Sequence, residues 1–104
     1  VMMDLDGLKL VNDSLGHGGG DTVLQAVAEV LRETVRDQDA VARIGGDEFC
    51  ILLPDTGLVE AATVAERLRL RVDLMALSYR GQAVRVFASV GRLWPLLAAA
   101  DGAE

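Results

Sequence analysis

The period of the apolar positions changes along the chain, and the changes mark out the elements. Val1 to Asp4 reads as the end of a strand. Leu8 to Leu15 predicts a short helix, stopped by Gly16 and the run Gly18-Gly19-Gly20. From Asp21 to about Arg36, the residues Leu24, Val27, Ala28, Leu31 and Val35 recur at helical spacing. Two short β-compatible runs follow, from Ala40 to Ile44 and from Glu48 to Leu53, with Gly45-Gly46 between them. That link predicts a tight hairpin with positive φ at its centre, and Pro54 ends the second run. A second amphipathic helix places Leu58, Ala61, Ala62, Ala65, Leu68, Val72 and Met75 on one face, with Arg67, Arg69 and Arg71 largely off it. Val84 to Val90 predicts a further strand. Beyond Gly91 the pattern weakens, and Trp94-Pro95 argues against continuing it.

The order β-α-β-β-α-β predicts an α+β fold of the ferredoxin-like kind, an antiparallel sheet with helices on one face. A right-handed crossover makes the first two strands parallel with the third between them. The end of the first strand and the hairpin after the second then share one edge. Asp4 and Asp6 are thereby expected beside Gly45-Gly46-Asp47-Glu48, some forty residues away in sequence.

Composition narrows the chemistry. The 104 residues are 51% hydrophobic and 25% charged, the balance of one globular domain spanning 1–104, with no apolar run near the ~20 residues of a membrane span. The opening Val1-Met2-Met3-Asp4 has no signal-peptide pattern, so a cytoplasmic location is expected. Cys50 is the only cysteine, and its apolar neighbours predict a buried thiol. A net charge of −6 with a single lysine, Lys9, argues against nucleic acid as a partner. A nucleotide stays open, because a metal ion can carry a triphosphate to an acidic site. Carboxylates gathered at one edge repel unless a cation or proton intervenes. Mg²⁺ suits them: Asp4, Asp47 and a backbone carbonyl near Leu5 make a reasonable half-shell, whereas no cysteine or paired histidine offers zinc a site. Each of these residues alone also reads as a turn former, Asp21 as a helix cap, and Asn12 as a turn residue.

Three motifs stand together. Gly45-Gly46-Asp47-Glu48-Phe49 follows Arg43-Ile44; by average residue usage such a prespecified string arises by chance on the order of once in ten thousand chains of this length. Asp4-Leu5-Asp6-Gly7-Leu8-Lys9-Leu10-Val11-Asn12-Asp13 and Gly16-His17-Gly18-Gly19-Gly20-Asp21 precede it. In order and spacing the three resemble the GGDEF domain, the catalytic module of bacterial diguanylate cyclases, over about residues 1 to 91. The resemblance implies a nucleotidyl-cyclase palm that condenses two GTP into cyclic di-GMP and pyrophosphate as a homodimer with a second GGDEF protomer. Mg²⁺, with Mn²⁺ as the alternative ion, would be held by Asp4, the Leu5 carbonyl and Asp47. Asp47 would also help activate the attacking 3′-hydroxyl, with Glu48 beside it. Asn12 and Asp21 would bind guanine, Leu8 stands where the family commonly has Phe at the substrate site, and Gly45 and Gly46 would let backbone approach the phosphates. His17 is left between a structural and a ligand role.

The Arg36-Asp37-Gln38-Asp39 stretch, five residues before Gly45, matches the family's inhibitory product site. There Arg36 and Asp39, with Arg67 from the second long helix, would bind cyclic di-GMP. The resemblance further implies an upstream sensor domain. The family's usual segment before the first strand is absent, the loop between Gly91 and Leu96-Leu97 is short, and Ala100-Asp101-Gly102-Ala103 matches only the start of the closing phosphate-binding segment. A partial domain, truncated at both ends, is therefore expected. Two functions follow from the residues: a cyclase, or a degenerate module that binds GTP or cyclic di-GMP and signals without efficient catalysis.

Overall fold

A computed structural model describes residues 1–92. Its elements are β1 (Met2–Asp6), α1 (Leu8–Thr34), β2 (Ala40–Arg43), β3 (Glu48–Leu52), α2 (Leu58–Asp73), β4 (Leu77–Tyr79), β5 (Gln82–Val84) and β6 (Phe87–Arg92). The four-stranded sheet runs β2-β3-β1-β6, and every neighbouring pair is antiparallel. β3 therefore lies between the parallel strands β1 and β2, the arrangement expected from crossover handedness.

Alternation along the strands decides which face is covered. Met3 and Leu5 of β1, Phe49 and Ile51 of β3 and Ala88 of β6 are buried. They join Val23, Leu24, Val27 and Leu31 of α1 and Leu68 and Val72 of α2 in one core. The spacing 23, 24, 27, 31 is one stripe of an α-helix, and so is Ala61, Ala65, Leu68, Val72. Burying each large side chain of this set contributes roughly 1.5–3 kcal/mol before chain entropy is charged against it. Two members of the predicted α2 face differ, because Leu58 is 55% exposed and Ala62 is also exposed, both near the helix start.

Four further differences have local causes. The glycine run does not stop a helix. Gly16 alone breaks it, with φ 76 and ψ 177, and Gly18, Gly19 and Gly20 are helical beyond the kink. Their lack of side chains serves packing: a Cβ on Gly18 would lie 2.6 Å from the Tyr79 hydroxyl, and one on Gly19 would lie 2.7 Å from the Leu15 Cβ. The hairpin between β2 and β3 also departs from expectation, since neither Gly45 nor Gly46 has positive φ. Its turn is a longer loop, closed by Ile44 N–H donating to the Glu48 carbonyl at 3.0 Å.

Cys50 is only half-buried, because it alternates with Phe49 and Ile51 and faces away from the helices. The stretch predicted as one strand is split, and β5 pairs with a β4 that the apolar pattern did not show. Arg80 and Gly81, at φ 51 and 81, form their two-residue turn with positive φ at both centres. Trp94, Pro95, Leu96, Leu97 and the segment 100–103 lie outside the described residues.

Candidate functional site

The first cluster forms where β1 meets the β2–β3 turn. Leu5 N–H donates to the Asp47 carbonyl at 2.9 Å, and Asp4 stands opposite Glu48 across the strand pair. Successive strand residues alternate faces, so Asp4 and Asp6 are exposed on the side away from the helices, and Glu48 shares that side. Ser89 of β6 donates to the Asp6 carboxylate, which leaves Asp4 and Glu48 as the acidic neighbours nearest the turn. Arg43 Nε reaches back to the Gly45 carbonyl at 3.1 Å and pins the turn's entry. Gly46 has nothing within 4 Å of where a Cβ would sit, so the turn's backbone is open to an approaching ligand.

Directly opposed carboxylates on one sheet face repel and favour a cation between them. Among the described residues no group of three or more His, Cys, Asp or Glu side chains could hold a metal by itself. The donor set here is thus one or two carboxylates with backbone carbonyls. That fits an ion such as Mg²⁺, which completes its shell with water and substrate phosphates.

A second cluster lies on α1. Gly7, at φ 92, makes the one-residue turn from β1, and Leu8 opens the helix with its side chain buried in the core. At the Gly16 kink the helix changes direction, which brings Asn12 of the first limb against Gly20 of the second. Asn12 is half-buried, and its amide makes no side-chain hydrogen bond to another described residue. Asp21, the next residue along, is exposed at one end of a groove of about 450 Å³. Leu24, Ala28, Phe49 and Arg43 also line this groove, and Arg43 ties it to the turn through its bond to the Gly45 carbonyl. A volume of this size lies within the ordinary range for small-molecule sites. His17 is exposed at the kink.

The third cluster is separate. Arg36 Nε and Nη2 hold the two Asp39 carboxylate oxygens at 3.1 and 3.0 Å, and the Arg36 backbone N–H adds a bond of 2.8 Å. Nη2 also donates to Thr56 Oγ1 at 2.7 Å and to the Pro54 carbonyl at 3.3 Å. The hydrogen bond from Arg36 holds the Asp39 carboxyl below the usual carboxylate range, and its charge adds to the effect. No described residue accepts from Nη1, which leaves one edge of the guanidinium available for an anion. Arg67 stands elsewhere. It lies on the exposed side of α2, in a shallow groove with Val59, Ala62, Thr63, Glu66 and Leu70, nine residues or roughly 14 Å beyond the helix start.

The family model described as "Diguanylate cyclase, GGDEF domain" matches residues 1–94. The chain belongs to the GGDEF family. Among curated relatives, "Diguanylate cyclase A" of Treponema denticola is 40% identical over 91 residues, covering 88% of this chain and 24% of that protein. The "Bifunctional diguanylate cyclase/cyclic di-GMP phosphodiesterase MucR" of Pseudomonas aeruginosa is 47% identical over 91 residues, covering 88% of this chain and 13% of that one. The chain thus spans a quarter or less of these relatives' lengths.

Among solved structures, the diguanylate cyclase SiaD of Pseudomonas aeruginosa, in complex with its activator SiaC, superposes with a TM-score of 0.83 at 38% identity, over 97% of this chain and 40% of that one. The GGDEF domain of DgcB from Caulobacter crescentus, in complex with c-di-GMP, gives 0.78 at 31% identity, over 85% and 53%. The family and the α+β nucleotidyl-cyclase fold are therefore as the motifs implied. Within this GGDEF domain the structure brings Asp4, Leu5, Asp47 and Glu48 to one edge and sets Asn12 against Gly20, the residue before Asp21. It keeps Arg36 with Asp39 and sets Arg67 apart. Arg43, Thr56 and Gly20 entered the clusters only through the structure. Arg43 had a signal in its place two residues before Gly45, and Thr56 had none.

Proposed function

We propose that this GGDEF domain condenses two GTP molecules into cyclic di-GMP and pyrophosphate as one half of a homodimer, with the junction of β1 and the β2–β3 turn as its reacting edge. The observation that carries the reading is the Leu5–Asp47 backbone bond, with Asp4 set opposite Glu48. It unites at one edge the acidic residues of two motifs far apart in sequence. Asp4, the Leu5 carbonyl and Asp47 would hold Mg²⁺, or Mn²⁺ in its stead, which when bound neutralises triphosphate charge and polarises the α-phosphate. The open backbone at Gly46, next to Gly45, admits the phosphates. Asp21 accepts from the N1–H and N2–H donors that adenine lacks, and Asn12 completes the base contact; a wrong base leaves these groups unpaired.

The 3′-hydroxyl oxygen of one GTP attacks the α-phosphorus of the other, its proton passes to Asp47, and pyrophosphate leaves with the electron pair of the broken bond. The second condensation closes the ring. Each protomer brings one GTP, so a single domain cannot complete the reaction. Arg36 and Asp39 would bind the product at a separate site, with Arg67 supplied by a second protomer, and an upstream sensor domain in a cytoplasmic protein would govern the pairing of protomers.

The test has two parts: thermal unfolding with Mg²⁺-GTP against Mg²⁺-ATP, and chromatographic detection of cyclic di-GMP for the parent and Asp47→Asn proteins. GTP should protect more than ATP, and Asp47→Asn should abolish product. Equal protection by the two nucleotides removes the guanine assignment. Protection by GTP without any product would make the domain a nucleotide-binding regulatory module instead.

A further inference from the structure

The two limbs of α1 meet at glycines, and the meeting differs from one glycine to the next. A methyl on Gly19 would press on the Leu15 Cβ at 2.7 Å, an atom fixed to its backbone that cannot swing aside. A methyl on Gly20 would fall 1.8 Å from Asn12 Oδ1, 2.8 Å from its Cγ and 3.3 Å from its Nδ2. Below 3.0 Å one of the two groups must move, and here the group in the way is the free end of a two-torsion side chain. No hydrogen bond from another described side chain holds that amide in place. Packing against the bare Cα of Gly20 sets where it lies, one residue from Asp21.

We infer that Gly20 is a specificity-determining residue: its missing side chain is what lets the Asn12 amide lie beside Asp21 to read a guanine edge. This rests on the reading of Asn12 and Asp21 as base contacts and adds to it the part that positions one of them. The consequence is unusual for a buried helical glycine. Alanine is the better helix former, and the obstructing amide can rotate away, so Gly20→Ala leaves the fold stable while displacing the base contact. Ribose and phosphate contacts elsewhere are untouched, so binding of ATP is unaffected and the preference for guanine falls.

The experiment measures the affinities of the full chain for Mg²⁺-GTP and Mg²⁺-ATP, with the melting temperature of each protein, for the parent, Gly20→Ala, Asn12→Ala and the double variant. Gly20→Ala should keep the parental melting temperature within a few degrees and lower the GTP-over-ATP ratio about tenfold, the scale of one lost base hydrogen bond. The double variant should match Asn12→Ala alone, because the added methyl acts only through the amide it displaces. A ratio lost in Asn12→Ala but kept in Gly20→Ala overturns this inference alone. So does an equal weakening of both nucleotides, a large fall in melting temperature, or additive effects in the double variant. A ratio unchanged by Asn12→Ala overturns the guanine reading and this inference with it.

Discussion

Replacing Asp73 with alanine should destabilise the domain far more than replacing it with asparagine. Asp73 ends α2, where a negative charge opposes the helix dipole, yet it is kept there by two partners. Arg69 Nη1 donates to one carboxylate oxygen at 2.7 Å, and Ala88 N–H of β6 donates to the other at 2.9 Å. Ala88 is only 5% exposed, so water cannot readily replace the lost acceptor. An orphaned N–H of this kind costs about 1–3 kcal/mol. The part-exposed ion pair adds at most about 1 kcal/mol, and relief of the unfavourable dipole term returns about 0.5 kcal/mol.

The net for Asp73→Ala is a loss of about 2 kcal/mol, or roughly 8–16 °C in melting temperature for a domain of this size. Asparagine keeps an oxygen for Ala88 and should cost under about 1 kcal/mol. Urea unfolding of the three proteins measures both quantities. The reasoning fails if the alanine and asparagine variants coincide, or if alanine shifts the midpoint no more than an ordinary surface change. The same tie bears on the site, because β6 pairs with β1, and Ala88 stands opposite Leu5.

Two other outcomes follow from backbone strain and charge. Gly16→Ala should cost about 1–3 kcal/mol, since φ 76 with ψ 177 is a region nearly closed to other residues; nothing lies within 4 Å of the new Cβ, so unchanged stability by urea unfolding would refute a torsional cost. The Asp39 carboxyl is depressed in the folded state by its bonds from Arg36. Its contribution is therefore complete above the ordinary carboxylate pKa of about 4 and is lost as pH falls through the depressed value. The urea midpoint of Asp39→Asn should accordingly fall less steeply than the parent's on acidification below about pH 4.5, and parallel curves would refute the linkage.

The sequence by itself determined the two amphipathic helices, the paired strands β2 and β3 and the sheet order. Helical and strand periods are local properties, and crossover handedness turns their order into a topology. The convergence of Asp4 with Asp47 and Glu48 was legible for the same reason: a strand end and a hairpin must share an edge once the third strand lies between the first two. What only the tertiary structure decided lies where distant segments touch. The glycine run at 18–20 reads locally as a helix stop, yet it continues the helix because Tyr79, Leu15 and Asn12 occupy the space that side chains would fill. β4 and β5 have three residues each, too few to show a period, and an Arg80-Gly81 turn is a weak signal. Thr56 reaches Arg36 across twenty residues, and Asp73 reaches Ala88 across fifteen. Neither contact leaves a trace in composition or spacing, because a hydrogen bond between distant segments depends on where the fold has already placed both ends.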